Sequence, residues 1–132
     1  MIPSINTEMG KKSFVNKTYV REGGQAKIYE QIEKEGLCPF CLENFERYKV
    51  GPVIKDNRNW SLVKSKWPYK NSKKHLILIL KRHVEDIKKM DSQAWSDLSG
   101  LVKWTIEKYR IPGGALTIRL GDPNFTGSTV RH

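Results

Sequence analysis

The run Leu76-Ile77-Leu78-Ile79-Leu80 constrains this chain more than any other stretch. Five consecutive apolar residues show no alternation, which suits a strand buried on both faces. It is far shorter than the ~20 apolar residues a membrane-spanning helix needs, and no longer apolar run exists. With 132 residues in all, the chain is the size of one ordinary domain. The layers that cover this strand must therefore come from the same small core.

The remaining elements follow from periodicity and punctuation. Residues 1–24 are polar, carry Gly23-Gly24 as a hinge, and read as an N-terminal arm; residues 25–132 read as the domain. In QAKIYEQIEKE, Ala26, Ile28, Tyr29 and Ile32 recur at near-helical spacing, and Gly36 supplies a stop. GPVIKDNR over 51–58 reads as a loop from its Gly, Pro, Asp and Asn content. Trp60-Ser61-Leu62-Val63 opens a strand, and Pro68 interrupts it or places its end at an edge. A long helix follows the apolar run. Asp91 or Ser92 caps it, Trp95, Leu98, Val102, Ile106 and Tyr109 form its apolar stripe, and Pro112-Gly113-Gly114 ends it. Ala115 to Leu120 alternates as a strand, Gly121-Asp122-Pro123-Asn124 turns, and a final strand begins at Thr129. The order implies an antiparallel-rich α+β domain with two main helices.

Cysteine usage and charge narrow the chemistry. Two cysteines, both in Cys38-Pro39-Phe40-Cys41, are too few for a secreted disulfide framework and suggest a reducing compartment. MIPSINTEMGKK contains no apolar core of a signal peptide, so the expected location is cytoplasmic. A CxxC can hold half of a tetrahedral metal site, with His75, His83 and His132 as the imidazoles on offer. It can equally be two buried free thiols. A third reading is a dithiol oxidoreductase, but that arrangement needs an apolar strand before the CxxC, and Glu30 to Glu35 is too charged to be one.

The net charge is +10. Between Ser61 and Val84 stand seven cationic residues (Lys64, Lys66, Lys70, Lys73, Lys74, Lys81, Arg82) and no acid, interleaved with Trp67 and Tyr69. Such a stretch attracts phosphates and stacks bases, although a solvated basic face with Trp67 in the core has the same composition. The charge does not separate a mononucleotide from RNA. Gly127-Ser128-Thr129 adds a turn whose amides and hydroxyls suit a phosphate.

Taken in order, Cys38-Pro39-Phe40-Cys41, Trp67-Pro68-Tyr69, His75-Leu76-Ile77, Lys81-Arg82-His83-Val84, and Gly121-Asp122 followed by Gly127-Ser128-Thr129-Val130-Arg131-His132 resemble the histidine-triad (HIT) superfamily of nucleotide hydrolases and transferases. The resemblance spans roughly residues 26 to 132. It implies a structural zinc held by Cys38, Cys41, His83 and His132, as in zinc-bearing members and the related galactose-1-phosphate uridylyltransferases. It implies a nucleotide pocket at Leu62, Ser65, Trp67, Arg119 and Asp122, with Ser128 and Thr129 near the phosphates. Ser65 stands where several members carry a ribose-contacting Asn. His75 matches a family His near the catalytic strand, where it is either a satisfied core histidine or a supporting group.

In the family, the second His of an H-x-H-x-H strand attacks the α-phosphorus and forms a nucleotidyl-histidine. That position falls two residues beyond His132, so residues 1–132 alone are expected to be inactive and the final strand cut short. The leading expectation is a HIT-type domain that, intact, hydrolyses or transfers a nucleoside phosphate or dinucleoside polyphosphate. The alternative is a non-catalytic, zinc-stapled basic module binding nucleotide or RNA. A homodimer fits either reading, and a membrane association fits neither.

Overall fold

In a computed structural model of the chain, residues 14–15, 24–119, 121–122, 125, 130 and 132 are described. They form a small α+β fold: helix α1 (Gln25–Glu35), strands β1 (Val53–Asp56), β2 (Trp60–Lys64) and β3 (Leu76–Leu80), and helix α2 (Ser92–Tyr109). The strands make one antiparallel sheet in the order β1-β2-β3. Among the described residues, no helix is long and apolar enough to cross a membrane.

The β2–β3 register sets Trp60 opposite Leu80, Leu62 opposite Leu78 and Val63 opposite Ile77. Side chains alternate across a strand, so Trp60, Leu62 and Leu80 face one way and Val63 and Ile79 the other. The first set packs on Ala94, Leu98 and Leu101 of α2. The second meets Phe45, with Phe40 and Val50 beside it. Both faces are therefore covered at Ile79 and Leu80, while Leu76, Ile77 and Leu78 stay half-buried. A third cluster joins Val15 to Tyr29, Ile32 and Tyr48, and Val15 also forms an antiparallel bridge with Val130. The N-terminal segment, read as an arm, is thus docked at Val15; residues 1–13 and 16–23 lie outside the described residues.

Helix ends behave as local chemistry dictates. Gly36 adopts φ 70°, a left-handed conformation that closes α1. The Asp91 carboxylate accepts the Ala94 amide at 2.9 Å and starts α2. The Trp60 indole N–H donates to the Ala94 carbonyl at 2.7 Å, which fixes the start of α2 over β2. Asn57 and Asn59, at the β1–β2 turn, donate to the Asp97 carbonyl and carboxylate and pin the turn to the same helix.

Three expectations fail. Residues 51–58 are not all loop, because Val53–Asp56 pairs with β2 through a bulge between Val53 and Lys55. All four of its residues are exposed, so this edge strand carries no burial pattern to read. Ala115 to Leu120 forms no strand over its described residues 115–119, which are exposed and unpaired with β3. Alternation marks a strand only where a partner edge accepts its backbone. Third, the buried face of α2 is Ala94, Leu98, Leu101 and Thr105, while Trp95 and Ile106 are 42% and 47% exposed. The small Ala94 lets the helix lie close to Trp60, and that contact rotates the larger Trp95 outward. The helix itself closes on Arg110, at φ 50°, before Pro112 is reached. The strand expected from Thr129 lies outside the described residues.

Candidate metal centre

Three chain segments converge beyond the end of β3. Gly36 turns the chain out of α1 so that Cys38 follows at once, 5% exposed. Asn44 then closes the Cys38–Cys41 turn by donating its side-chain amide to the Cys38 carbonyl at 2.7 Å. On the sheet side, the Lys81 amide donates to the Asn59 carbonyl and the Arg82 guanidinium to the Asn59 side chain, both at 2.7 Å. These bonds end β3 and set the position of His83. The third contribution is His132.

Cys38, Cys41, His83 and His132 place one sulfur or nitrogen each within 4.8 Å of all the others. Cys38 Sγ lies 3.3 Å from His132 Nδ1, Cys41 Sγ 3.4 Å from His83 Nδ1, and the two Nδ1 atoms 3.2 Å apart. A tetrahedral ion with bonds of about 2.0–2.1 Å to nitrogen and about 2.3 Å to sulfur has ligand–ligand edges of roughly 3.3–3.8 Å. Those three edges lie close to that range, Cys41 Sγ to His132 Nδ1 is 3.9 Å, and the whole set stays within 4.8 Å, so a small inward shift of the ligands would close it on an ion.

The opposite ring nitrogens strengthen the argument. His132 Nε2 lies 2.6 Å from the Leu80 carbonyl, which can only accept, so that nitrogen carries the proton. His83 Nε2 lies 2.7 Å from a Glu85 carboxylate oxygen, which accepts in the same way. Rings held like this turn their Nδ1 atoms toward each other and toward the two sulfurs. A protonated thiol can donate to each facing Nδ1, and a cation that displaces those protons can take all four groups as ligands. The residues fit a bound metal ion.

The electrostatics of the two thiols disfavour a redox pair. Burial pushes the Cys38 thiol above its usual range. Burial, followed by the neighbouring Cys38, pushes Cys41 up to about 12. An oxidoreductase nucleophile needs the opposite shift. Burial also lowers the pKa of His132, which keeps its imidazole neutral and able to ligate.

The residues expected at a nucleotide pocket fall in different places. Ser65 and Trp67 line a pocket of about 80 Å³ between α1 and the sheet, with Tyr29, Phe40, Lys49 and Lys66. Trp67 meets Tyr29 edge-on at 6.3 Å. Leu62 is 1% exposed, in the core under α2. Arg119 and His75 border a separate cleft of about 580 Å³ along the outer edge of β3. His75 is engaged there: its Nδ1 accepts the Tyr69 amide at 3.1 Å and its ring stacks on Tyr69 at 4.4 Å. The Tyr69 hydroxyl in turn accepts from Arg119 at 2.7 Å. Asp122 is exposed in the following turn. Ser128 and Thr129 lie outside the described residues.

Sequence reasoning missed Lys49, whose φ of 55° caps the turn that follows Cys41, and Glu85. The signal for Glu85 was its position two residues after a candidate ligand; Lys49 gave none. Comparison of the chain with protein-family models, with curated proteins and with solved structures finds no match in any of the three.

Proposed function

We propose that this chain is a HIT-type nucleotide-binding domain with a structural zinc at Cys38, Cys41, His83 and His132. The observation that carries the nucleotide reading is the chemistry of the pocket beside the metal centre. Tyr29, Phe40 and Trp67 offer aromatic faces, Lys49, Lys64 and Lys66 offer cations, and no acid is among its lining residues. Burial and the nearby Lys49 depress the Lys66 pKa, so an anion entering the pocket relieves an existing repulsion. An aromatic ring joined to phosphates meets both demands, with only part of it entering the pocket of about 80 Å³ and the rest lying outside.

Zinc is the ion that two thiolates and two imidazoles select in a closed four-ligand site, where its role is to hold segments together. Here the Cys38–Cys41 turn carries Pro39 and Phe40 into the pocket wall, and Val130, two residues before His132, lines the same wall. The metal therefore braces the pocket. Aromatic stacking on Trp67 and attraction to Lys49 and Lys66 orient a nucleoside phosphate.

Under this reading the chemistry is that of the superfamily. The activity is hydrolysis or transfer of a nucleoside phosphate or dinucleoside polyphosphate through a nucleotidyl-histidine. Calorimetric titration of the 132-residue chain with nucleoside mono-, di- and triphosphates tests the binding half. Binding should weaken about 10-fold in Lys66→Ala, for the loss of about 1.4 kcal/mol of charge-assisted contact. No binding by the folded, zinc-loaded chain would overturn the reading.

A further inference from the structure

We infer that Glu85 is a positioning residue of the metal centre, fixing the ring and tautomer of His83 so that Nδ1 is presented to the ion. This rests on the metal reading of the site and is independent of the nucleotide reading. The Glu85 carboxylate lies 2.7 Å from His83 Nε2, and the two side chains are 22% and 30% exposed. That carboxylate holds the N–H on Nε2 and leaves the lone pair on Nδ1, which faces Cys41 Sγ at 3.4 Å.

The two imidazoles are held by parallel devices of different strength. His132 is half-buried and takes a backbone carbonyl, Leu80, on its Nε2, with the Phe40 ring edge-on at 6.1 Å. His83 is more exposed and has no such carbonyl; it has the Glu85 carboxylate, with the Phe14 ring edge-on at 5.3 Å. Water reaches His83 more easily, so a neutral acceptor would compete poorly there. An ionised carboxylate makes a stronger, charge-assisted bond and raises the basicity of the ligating nitrogen. The Asn59–Arg82 bond and the Asp86 cap on the Ile87–Lys89 turn anchor the backbone on either side of the pair.

A rival account makes His83–Glu85 a plain ion pair, with His83 protonated on both nitrogens and closed to metal. The two accounts predict opposite signs. Removing Glu85 weakens metal binding if it positions the ligand, and strengthens it if it locks the proton in place.

The test is Co²⁺ titration of the full chain, read from the visible d–d bands of a tetrahedral site, with release to a chelator as a second readout. Glu85→Ala should raise the Kd about 10- to 100-fold, the usual consequence of removing such an outer partner. Glu85→Gln keeps an acceptor oxygen and should fall between Ala and wild type, with shifted d–d bands. Glu43→Gln is the control for charge alone, because Glu43 acts on Cys41 and His132 only through its field; its Kd should match wild type. Melting of the metal-free variants identifies any that fail to fold, and the Gln variant then carries the comparison. Wild-type affinity or tighter in both Glu85 variants overturns the inference while leaving the metal site intact. A wild-type chain that gives no tetrahedral Co²⁺ bands overturns the metal reading itself, and this inference with it.

Discussion

Leu62→Ala separates the core of this protein from its ligand pocket. Leu62 was expected to touch nucleotide, yet it is 1% exposed and packs among Trp60, Leu80, Leu98 and Leu101. Truncation to Ala removes three carbon centres, and at ~0.8 kcal/mol per buried methylene the transfer loss is about 2.4 kcal/mol. The cavity left between sheet and helix adds to that, and measured Leu→Ala changes span about 2–5 kcal/mol. The β3 edge beside the site is open, so neighbours can relax partway into the gap. We therefore expect about 3 kcal/mol, a substantial fraction of the ~5–15 kcal/mol that holds a domain of this size together. Urea unfolding of the metal-loaded chain should show a lower midpoint with an unchanged slope. Nucleotide affinity of the folded variant should equal wild type. A loss below about 1 kcal/mol would show that Leu62 is not packed as described. A selective loss of nucleotide affinity, with stability intact, would return Leu62 to the ligand pocket.

Two further perturbations address the metal centre and the α1 anchor. Cys41→Ser removes a soft ligand, so metal stoichiometry should drop and the melting temperature should fall to that of chelator-treated wild type; equal metal content and stability in the variant would refute the ligand assignment. Because burial raises both thiols, binding must displace their protons, and metal affinity should fall steadily as pH is lowered. The Glu35 pKa is shifted in the opposite direction, downward. Hydrogen bonds from Arg47, first, and from Tyr48 hold its carboxyl at about 2, against an ordinary value of 4.5. Its folded pKa is depressed, so its contribution is complete above pH 4.5 and disappears as pH falls toward about 2. Wild type and Glu35→Gln should differ in melting temperature above that window and converge at its acid end. A difference that persists there would refute the linkage.

Features that depend on local chemistry were legible in the sequence. The α1 stop at Gly36 and the α2 cap at Asp91 need only nearby backbone, and both stand where the residues indicated. The apolar run forms β3, with Ile79 and Leu80 buried on opposite faces and Leu76, Ile77 and Leu78 half-buried. The four metal-ligating side chains were named through a resemblance, and they meet in space. His75 was left between a satisfied histidine and a supporting group; its Nδ1 and its ring face are both engaged by Tyr69.

The sequence by itself therefore determined the limits of α1, the start of α2, the two central strands and the residue types able to hold a metal. These properties are set by neighbours a few residues away and by the periods of helix and strand. Tertiary structure alone decided the rest. Val53–Asp56 became a strand only because β2 offered it an edge, and residues 115–119 are described without a strand. Trp95 turned outward because Ala94 packs against Trp60, and Leu62 entered the core through its register with Leu78. Glu85 joined the metal centre because the Asn59 anchor and the Asp86 cap bring its carboxylate to His83. Each of these outcomes depends on which partner a side chain or strand edge meets, and periodicity along the chain carries no record of that.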